Sequence, residues 1–366
     1  MTDRKLGVGV IGCGRIAQFA HIHNLMRNPR ARVVAVADID LAKAKSTAEQ
    51  WGIEAYYQDY RDVIAHPGVE MVDVTTWPTA HAAPVIAAAE AGKHVLCEKP
   101  IATTIEEADA MVDAAERAGV KFAMGYQPQF GQIWPTVKHL LDEGVCGQVM
   151  GMGIIGLNPS SHRVPWFLKK EIAGGGILMD RGIYTAYFIN WLLGPVERVY
   201  ASKEIFRKEV MVGDTLLTDI DVEDTVAATL KFRNGAIGTW YAGWAVAGSH
   251  SSTSIDGPDG SILMRSGVEG IGVFTNRVDQ PDYLKGWRQI SVRETPLQDQ
   301  HYGKLAHLID AVLDDKPLVQ TGAAGRDALE LVLAIYRSAE TGQPVSLPLP
   351  RRQPVHLDAD AASAAS

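Results

Sequence analysis

The sequence predicts an α/β protein in two parts: a doubly wound parallel sheet over residues 1–125, then an α+β part over 126–366 with an open, mostly antiparallel sheet. Three observations predict it. Apolar, β-rich runs alternate with helical patterns through the first part, as βαβ units do. A glycine loop, Gly12-Cys13-Gly14-Arg15-Ile16-Ala17, closes the first of those runs. Beyond Gly147 the alternation gives way to successive strands joined by tight turns.

The strand candidates of the first part are Gly7–Ile11, Arg32–Ala37, Met71–Thr75, His94–Cys97 and Val120–Met124. They are largely apolar rather than alternating, as parallel strands covered on both faces are. Helices are expected at Ile16–Arg27, Leu41–Trp51, Ala82–Ala91 and Ile105–Ala118. Asp40 suits the cap of the second. Thr104 and Glu107 read as a capping box in which each satisfies the other's orphan amide, and Gly119 ends that helix in a left-handed residue.

In the second part, Gln148–Ile155 reads as a strand, followed by an irregular stretch, Gly174-Gly175-Gly176 and a helix over Ile177–Leu193. Val196–Phe206, Thr225–Phe232, Ala236–Ala245 and Ser252–Asp256 read as further strands. Asn234-Gly235 signals a hairpin, because both residues tolerate positive φ. Trp240, Tyr241 and Trp244 suit the packed face of that sheet. Helical patterns return at Tyr302–Leu313 and Ala324–Thr341, free to pack back on the first part.

A length of 366 residues exceeds one ordinary core and suits two domains. A formal charge of -8 without a basic cluster argues against a nucleic-acid partner. No run of about 18 apolar residues is present, so no membrane partner is expected. The three cysteines are odd in number and lack metal-ligand spacing, which points to thiols in a reducing, cytoplasmic compartment. His21-Ile22-His23 resembles a metal pair, but nothing nearby supplies a third ligand, and no metal is expected.

The glycine loop has the context that gives such a pattern meaning: strand before, helix after, acid beyond. Gly12 permits the tight turn, Gly14 lets a pyrophosphate approach the backbone, and Ala17 lets helix and strand pack closely. The helix start, with Arg15 and Ile16, offers free N–H groups to the phosphates. Asp38 ends the second strand, where a carboxylate can accept both ribose hydroxyls. That placement favours NAD over NADP, whose 2′-phosphate would face a negative charge.

Glu98-Lys99-Pro100 follows the strand candidate His94–Cys97, at the sheet edge where such folds bind ligands. A lysine partly desolvated there, close to a positive nicotinamide, is expected to lose its proton nearer neutrality and to act as a base. Cys97 is expected to pack behind it. The competing reading is a surface lysine in a proline turn.

With these residues the chain resembles the Gfo/Idh/MocA oxidoreductase family. The matching segments are Val10–Ala17, Ala91–Pro100 and Gly174–Gly182, and the likeness reaches Tyr302 and the final helix. The resemblance implies a Rossmann domain followed by an open-faced sheet that carries the substrate site and often the oligomer interface. It implies proton transfer at Lys99. It also implies cofactor contacts from Glu98, from the turn holding Thr76, Trp77 and His81, and from Gln127. Trp77 stands where proline is usual, and Gln129 where many relatives carry arginine.

Asp180 and, four residues on, Tyr184 stand at the family's second motif, where the latter is usually histidine. The i, i+4 spacing puts both on one helix face. Asp180 would bond a substrate hydroxyl and Tyr184 would donate or relay a proton, although a phenol titrates near pH ~10. His162, Arg163, Trp166 and Lys169 suit substrate contacts, tryptophan through its flat face and the others through donors to hydroxyls.

The expectation is therefore an NAD-dependent dehydrogenase acting on a secondary hydroxyl of a sugar, sugar derivative or polyol, assembled as a homodimer or homotetramer. The alternatives are a dihydrodiol dehydrogenase, an NADPH-dependent sugar-ketone reductase, and a regulatory protein that binds NAD without chemistry.

Overall fold

The computed structural model describes residues 4–159, 164–277 and 286–350. They fall into two compact units, one comprising the chain to Gln127 with His301–Arg326, the other Pro128–Gln300 with Asp327–Leu349.

The first unit holds strands β1 (Leu6–Ile11), β2 (Ala31–Ala37), β3 (Ala55–Tyr57), β4 (Met71–Val74), β5 (His94–Cys97) and β6 (Phe122–Met124). They pair in parallel in the order β3-β2-β1-β4-β5-β6. The order reverses beside β1, and ligands of doubly wound sheets bind at such a switch point. The predicted doubly wound sheet is present. β3 was not expected, because a short half-exposed edge strand carries no apolar run. The helices Tyr60–Ala65 and Ile133–Asp142 also add to the predicted set.

Asp40 caps the helix Leu41–Trp51 by accepting from Lys43 N. The Thr104 box closes only on one side: Thr104 accepts from Glu107 N, while the Glu107 carboxylate accepts from the Thr104 hydroxyl. Leu6, Val8, Val10, Met71 and Leu96 form a core shared with Leu305, Leu308 and Ile309 of the helix Leu297–Leu313. Burying each such side chain contributes about 1.5–3 kcal/mol.

The second unit carries β7 (Gly151–Leu157), β8 (Val196–Glu204), the pair β9 (Val210–Val212) and β10 (Thr215–Leu217), β11 (Thr225–Phe232), β12 (Ile237–Gly243), β13 (His250–Asp256), β14 (Gly260–Arg265), β15 (Ile271–Thr275), β16 (Gly286–Ile290) and β17 (Val345–Ser346). Nine of them form one sheet, β16-β15-β14-β13-β7-β12-β11-β8-β17. It is antiparallel except where β7 pairs with β12. The Asn234-Gly235 hairpin forms, with Gly235 at φ 94°. Trp240 and Trp244 are buried, but Tyr241 is 40% exposed. Strand alternation sends adjacent residues to opposite faces, which corrects the expectation that all three share the packed one.

Candidate active site

At the end of β1, Gly12 has φ 93°, and a Cβ there would lie 2.9 Å from the Thr75 carbonyl oxygen. The loop needs glycine both for its backbone and for room. Thr75 ties it down, its hydroxyl donating to Gly12 O at 2.8 Å. A Cβ on Gly14 would meet no atom within 4 Å. The space beyond Gly14 is therefore open, as a pyrophosphate requires. Ala17 is fully buried, and Arg15 and Ile16 are exposed at the helix start. The helix opens with a π-helical stretch, Ala17–Ile22, before the α-helical His23–Arg27.

Asp38 follows β2. Its Oδ2 accepts from Cys13 N at 2.8 Å and pairs with Lys43 Nζ at 3.1 Å, and its Oδ1 accepts from Asp40 N at 3.1 Å. The carboxylate thus braces the loop. With about four acceptor positions, it keeps capacity for ribose hydroxyls. Open space at Gly14, the helix start and this acid together fit a dinucleotide.

After β4, Thr76 Oγ1 donates to Ala80 O at 3.1 Å and Trp77 is 46% exposed. The His81 ring is fully buried, with Nδ1 2.8 Å from Pro100 O and Nε2 3.2 Å from Thr76 O. Burial pushes its pKa below the ordinary histidine value. His81 is a strut between that turn and the segment following Lys99.

β5 ends at Cys97, fully buried, its thiol pushed well up by burial and then by Glu98. Lys99 is half-buried, and its backbone N–H donates to Glu98 Oε2 at 3.2 Å. Glu98 Oε1 accepts from Lys304 Nζ and lies 2.9 Å from His21 Nε2. The other ring nitrogen, His21 Nδ1, is 2.7 Å from Asp73 Oδ2. Burial alone would raise the Glu98 pKa, but the Lys304 ammonium and then His21 hold it well below the carboxylate range. Burial opposes charge on His21 too, yet Asp73 and Glu98 outweigh it and raise its pKa. His23 packs edge-on against Trp51, 6.1 Å away, so the His21-Ile22-His23 pair diverges.

In the second unit, each glycine of Gly174-Gly175-Gly176 has its own cause. Gly174 is left-handed at φ 77° and ends the short helix Lys170–Ala173. A Cβ on Gly175 would fall 2.2 Å from the Tyr336 hydroxyl oxygen, and one on Gly176 1.8 Å from the Glu223 carbonyl oxygen. The Glu223 carboxylate accepts from Gly176 N at 2.8 Å, Leu178 N at 3.1 Å and the Tyr336 hydroxyl at 2.6 Å. It thereby holds the start of the helical stretch Leu178–Gly182, which is π-helical and carries Asp180. Tyr184 follows on Ile183–Leu193, and both side chains are half-buried.

Gln129 is buried and accepts from the Tyr187 hydroxyl. Gln127 is half-buried and opens the turn Gln127–Phe130. Trp166 stacks on Phe167, with ring centroids 3.8 Å apart, and Lys169 pairs with Asp219. His162 and Arg163 lie outside the described residues.

The sequence reading missed Asp73, Lys304, Glu223 and Tyr336. Asp73 had a signal, a lone acid inside the apolar run Met71–Val74, and Lys304 a weaker one, a cation beside Leu305 in a core-facing helix. The partners of Glu223 lie 47 and 113 residues away in sequence, beyond any local pattern.

Two family models match the chain: the oxidoreductase family with NAD-binding Rossmann fold, GFO_IDH_MocA, over residues 6–126, and the GFO/IDH/MocA C-terminal domain over 134–263. An uncharacterized oxidoreductase of Rhizobium meliloti is 31% identical, covering 91% of this chain and 97% of its own. The myo-inositol 2-dehydrogenase of Thermotoga maritima is 29% identical over 93% of this chain and 98% of its own. Among solved structures, levoglucosan dehydrogenase in complex with NADH and L-sorbose superposes with a TM-score of 0.81 at 25% identity, covering 94% of this chain and 99% of that one.

Proposed function

Because the chain belongs to the Gfo/Idh/MocA family of oxidoreductases, with an NAD-binding Rossmann domain, we propose that it is an NAD-dependent dehydrogenase oxidising a secondary hydroxyl of a sugar, sugar derivative or polyol. The observation that carries this is Lys99: half-buried at the carboxyl end of β5, one strand from the switch point, with its backbone held by a buried carboxylate. The names of similar proteins support the substrate class, among them dehydrogenases of myo-inositol and levoglucosan and the D-glucoside 3-dehydrogenase of Escherichia coli, 27% identical over 95% of this chain and 99% of its own.

In this reading NAD, when bound, supplies the hydride acceptor. Gly12, Gly14 and the helix start at Arg15 and Ile16 receive its pyrophosphate, and Asp38 receives a ribose. Thr76, Trp77, Glu98 and Gln127 border the nicotinamide end, with His81 bracing it. Lys99 takes the hydroxyl proton. Asp180 accepts a hydrogen bond from the substrate and orients it, Tyr184 donates to a neighbouring oxygen, and Trp166 offers a face to the ring. The protein acts in the cytoplasm, and the open sheet face binds a second copy in a homodimer or homotetramer.

A panel of inositols, monosaccharides and methyl glucosides, followed by absorbance of the reduced cofactor, tests the assignment. The reading expects turnover with NAD on at least one, and weaker turnover with NADP. Asp38→Ser narrows that preference by relieving the 2′-phosphate of a facing charge. A preference for NADP in the unaltered protein would contradict the Asp38 assignment, and silence across the panel the substrate class.

A further inference from the structure

Proton transfer at Lys99 calls for one lysine, yet a chain of buried ionisable groups lies behind it. His21, Asp73, Glu98 and Lys304 are each at most 6% exposed; Asp73 meets His21, and Lys304 Nζ meets both Glu98 Oε1 and, at 3.0 Å, His21 Nε2, which itself reaches Glu98 Oε1. Burying ions costs several kcal/mol each unless they are closely matched, and replacing such a network by apolar packing is often neutral or stabilising. Stability therefore does not explain it. What distinguishes this network is how Glu98 is divided: Oε1 takes Lys304 and His21, and Oε2 takes the N–H of Lys99. A Cβ on Gly125 would lie 2.7 Å from Oε1, so backbone closes over the carboxylate and limits its rotation.

We propose that Lys304 is a positioning residue for Lys99: by holding Oε1 of Glu98, it keeps Oε2 on the Lys99 backbone N–H and fixes the direction in which the lysine leaves β5. This rests on the reading of Lys99 as the base. The groups acting on or acted on by Glu98 are His21 from the helix after the glycine loop, His81 from the turn after β4, Cys97 from β5, and His301 with Lys304 from Leu297–Leu313; Asp73 from β4 lies one step away, against His21 and Cys97. Among these Lys304 is the one lysine.

The test compares Lys304→Met, Lys304→Arg and Lys99→Ala in the full chain. Two readouts are taken: the amide resonance of Lys99 in lysine-labelled protein, and turnover of the best panel substrate. In Lys304→Met the Lys99 amide proton should move upfield. Its kcat should fall about tenfold to a hundredfold while KM and NADH affinity hold, the size expected of a displaced catalytic group. Lys304→Arg should recover both. An unmoved Lys99 amide with unaltered kcat in Lys304→Met overturns the proposal.

If Lys304→Met does not fold, the same comparison is made between Glu98→Gln and Glu98→Gln with Lys304→Met, so that only Lys304 differs: a further upfield move of the Lys99 amide and a further fall in kcat in the double variant support the proposal, and two indistinguishable variants overturn it. Full turnover in Lys99→Ala would instead remove the base assignment, and the amide resonance would still report whether Lys304 positions the backbone.

Discussion

Asp73 sits in a strand with every residue buried, and such a carboxylate persists only where something donates to it. His21 does so, and the consequences run to Glu98, Lys304 and Lys99. Lys99 and Gly12 were legible because their signals are local, a lysine-proline turn after an apolar run and a glycine between strand and helix. The network behind Lys99 was not, since its contacts join residues 52, 77 and 206 positions apart. A test of its electrostatics comes from His301. Burial, then repulsion from Lys304, pushes its pKa down to about 3. Between an ordinary histidine value of about 6.5 and that folded value, the unfolded chain binds the extra proton, so this group lowers stability as pH falls. His301→Phe should therefore lose less melting temperature than the parent between neutral pH and pH ~5. An equal loss would mean the histidine is not held neutral.

Elements with self-contained signals were read closely. The helix Leu41–Trp51 appeared with the predicted bounds and cap, and so did the strand Thr225–Phe232. β14, β15 and β16 escaped because short strands interrupted by polar residues and glycine lack a clear period. The triple glycine was recognised as a motif, but its cause lies in Glu223 and Tyr336, which only the fold brings to it. Glu223→Ala would strip two backbone N–H groups and a phenol of their acceptor, at a cost of about 3 kcal/mol. A thermal melt should register that loss. KM for the panel substrate should rise more than kcat falls, because the stretch bearing Asp180 loses its anchor. An unchanged KM would mean that Glu223 serves the fold alone.

At the scale of the molecule, the alternation of strands and helices sufficed to read the first sheet, while its completion by residues 301–326 was only partly foreseeable. The apolar stripe Leu305, Leu308 and Ile309 says that this helix needs a core, not which one. Leu308→Ala, at a site with no exposed surface, should destabilise the nucleotide-binding unit by about 2–5 kcal/mol. Added NADH should recover part of the lost melting temperature by binding the folded form. A melting temperature unchanged by Leu308→Ala would place the helix outside the stability of that unit.

Lys99→Ala, assayed for NADH binding and for turnover in the same preparation, bears most directly on the whole account. Loss of a general base predicts turnover lower by about 10²–10⁴-fold with NADH affinity unchanged. Turnover at the level of the unaltered protein would contradict it.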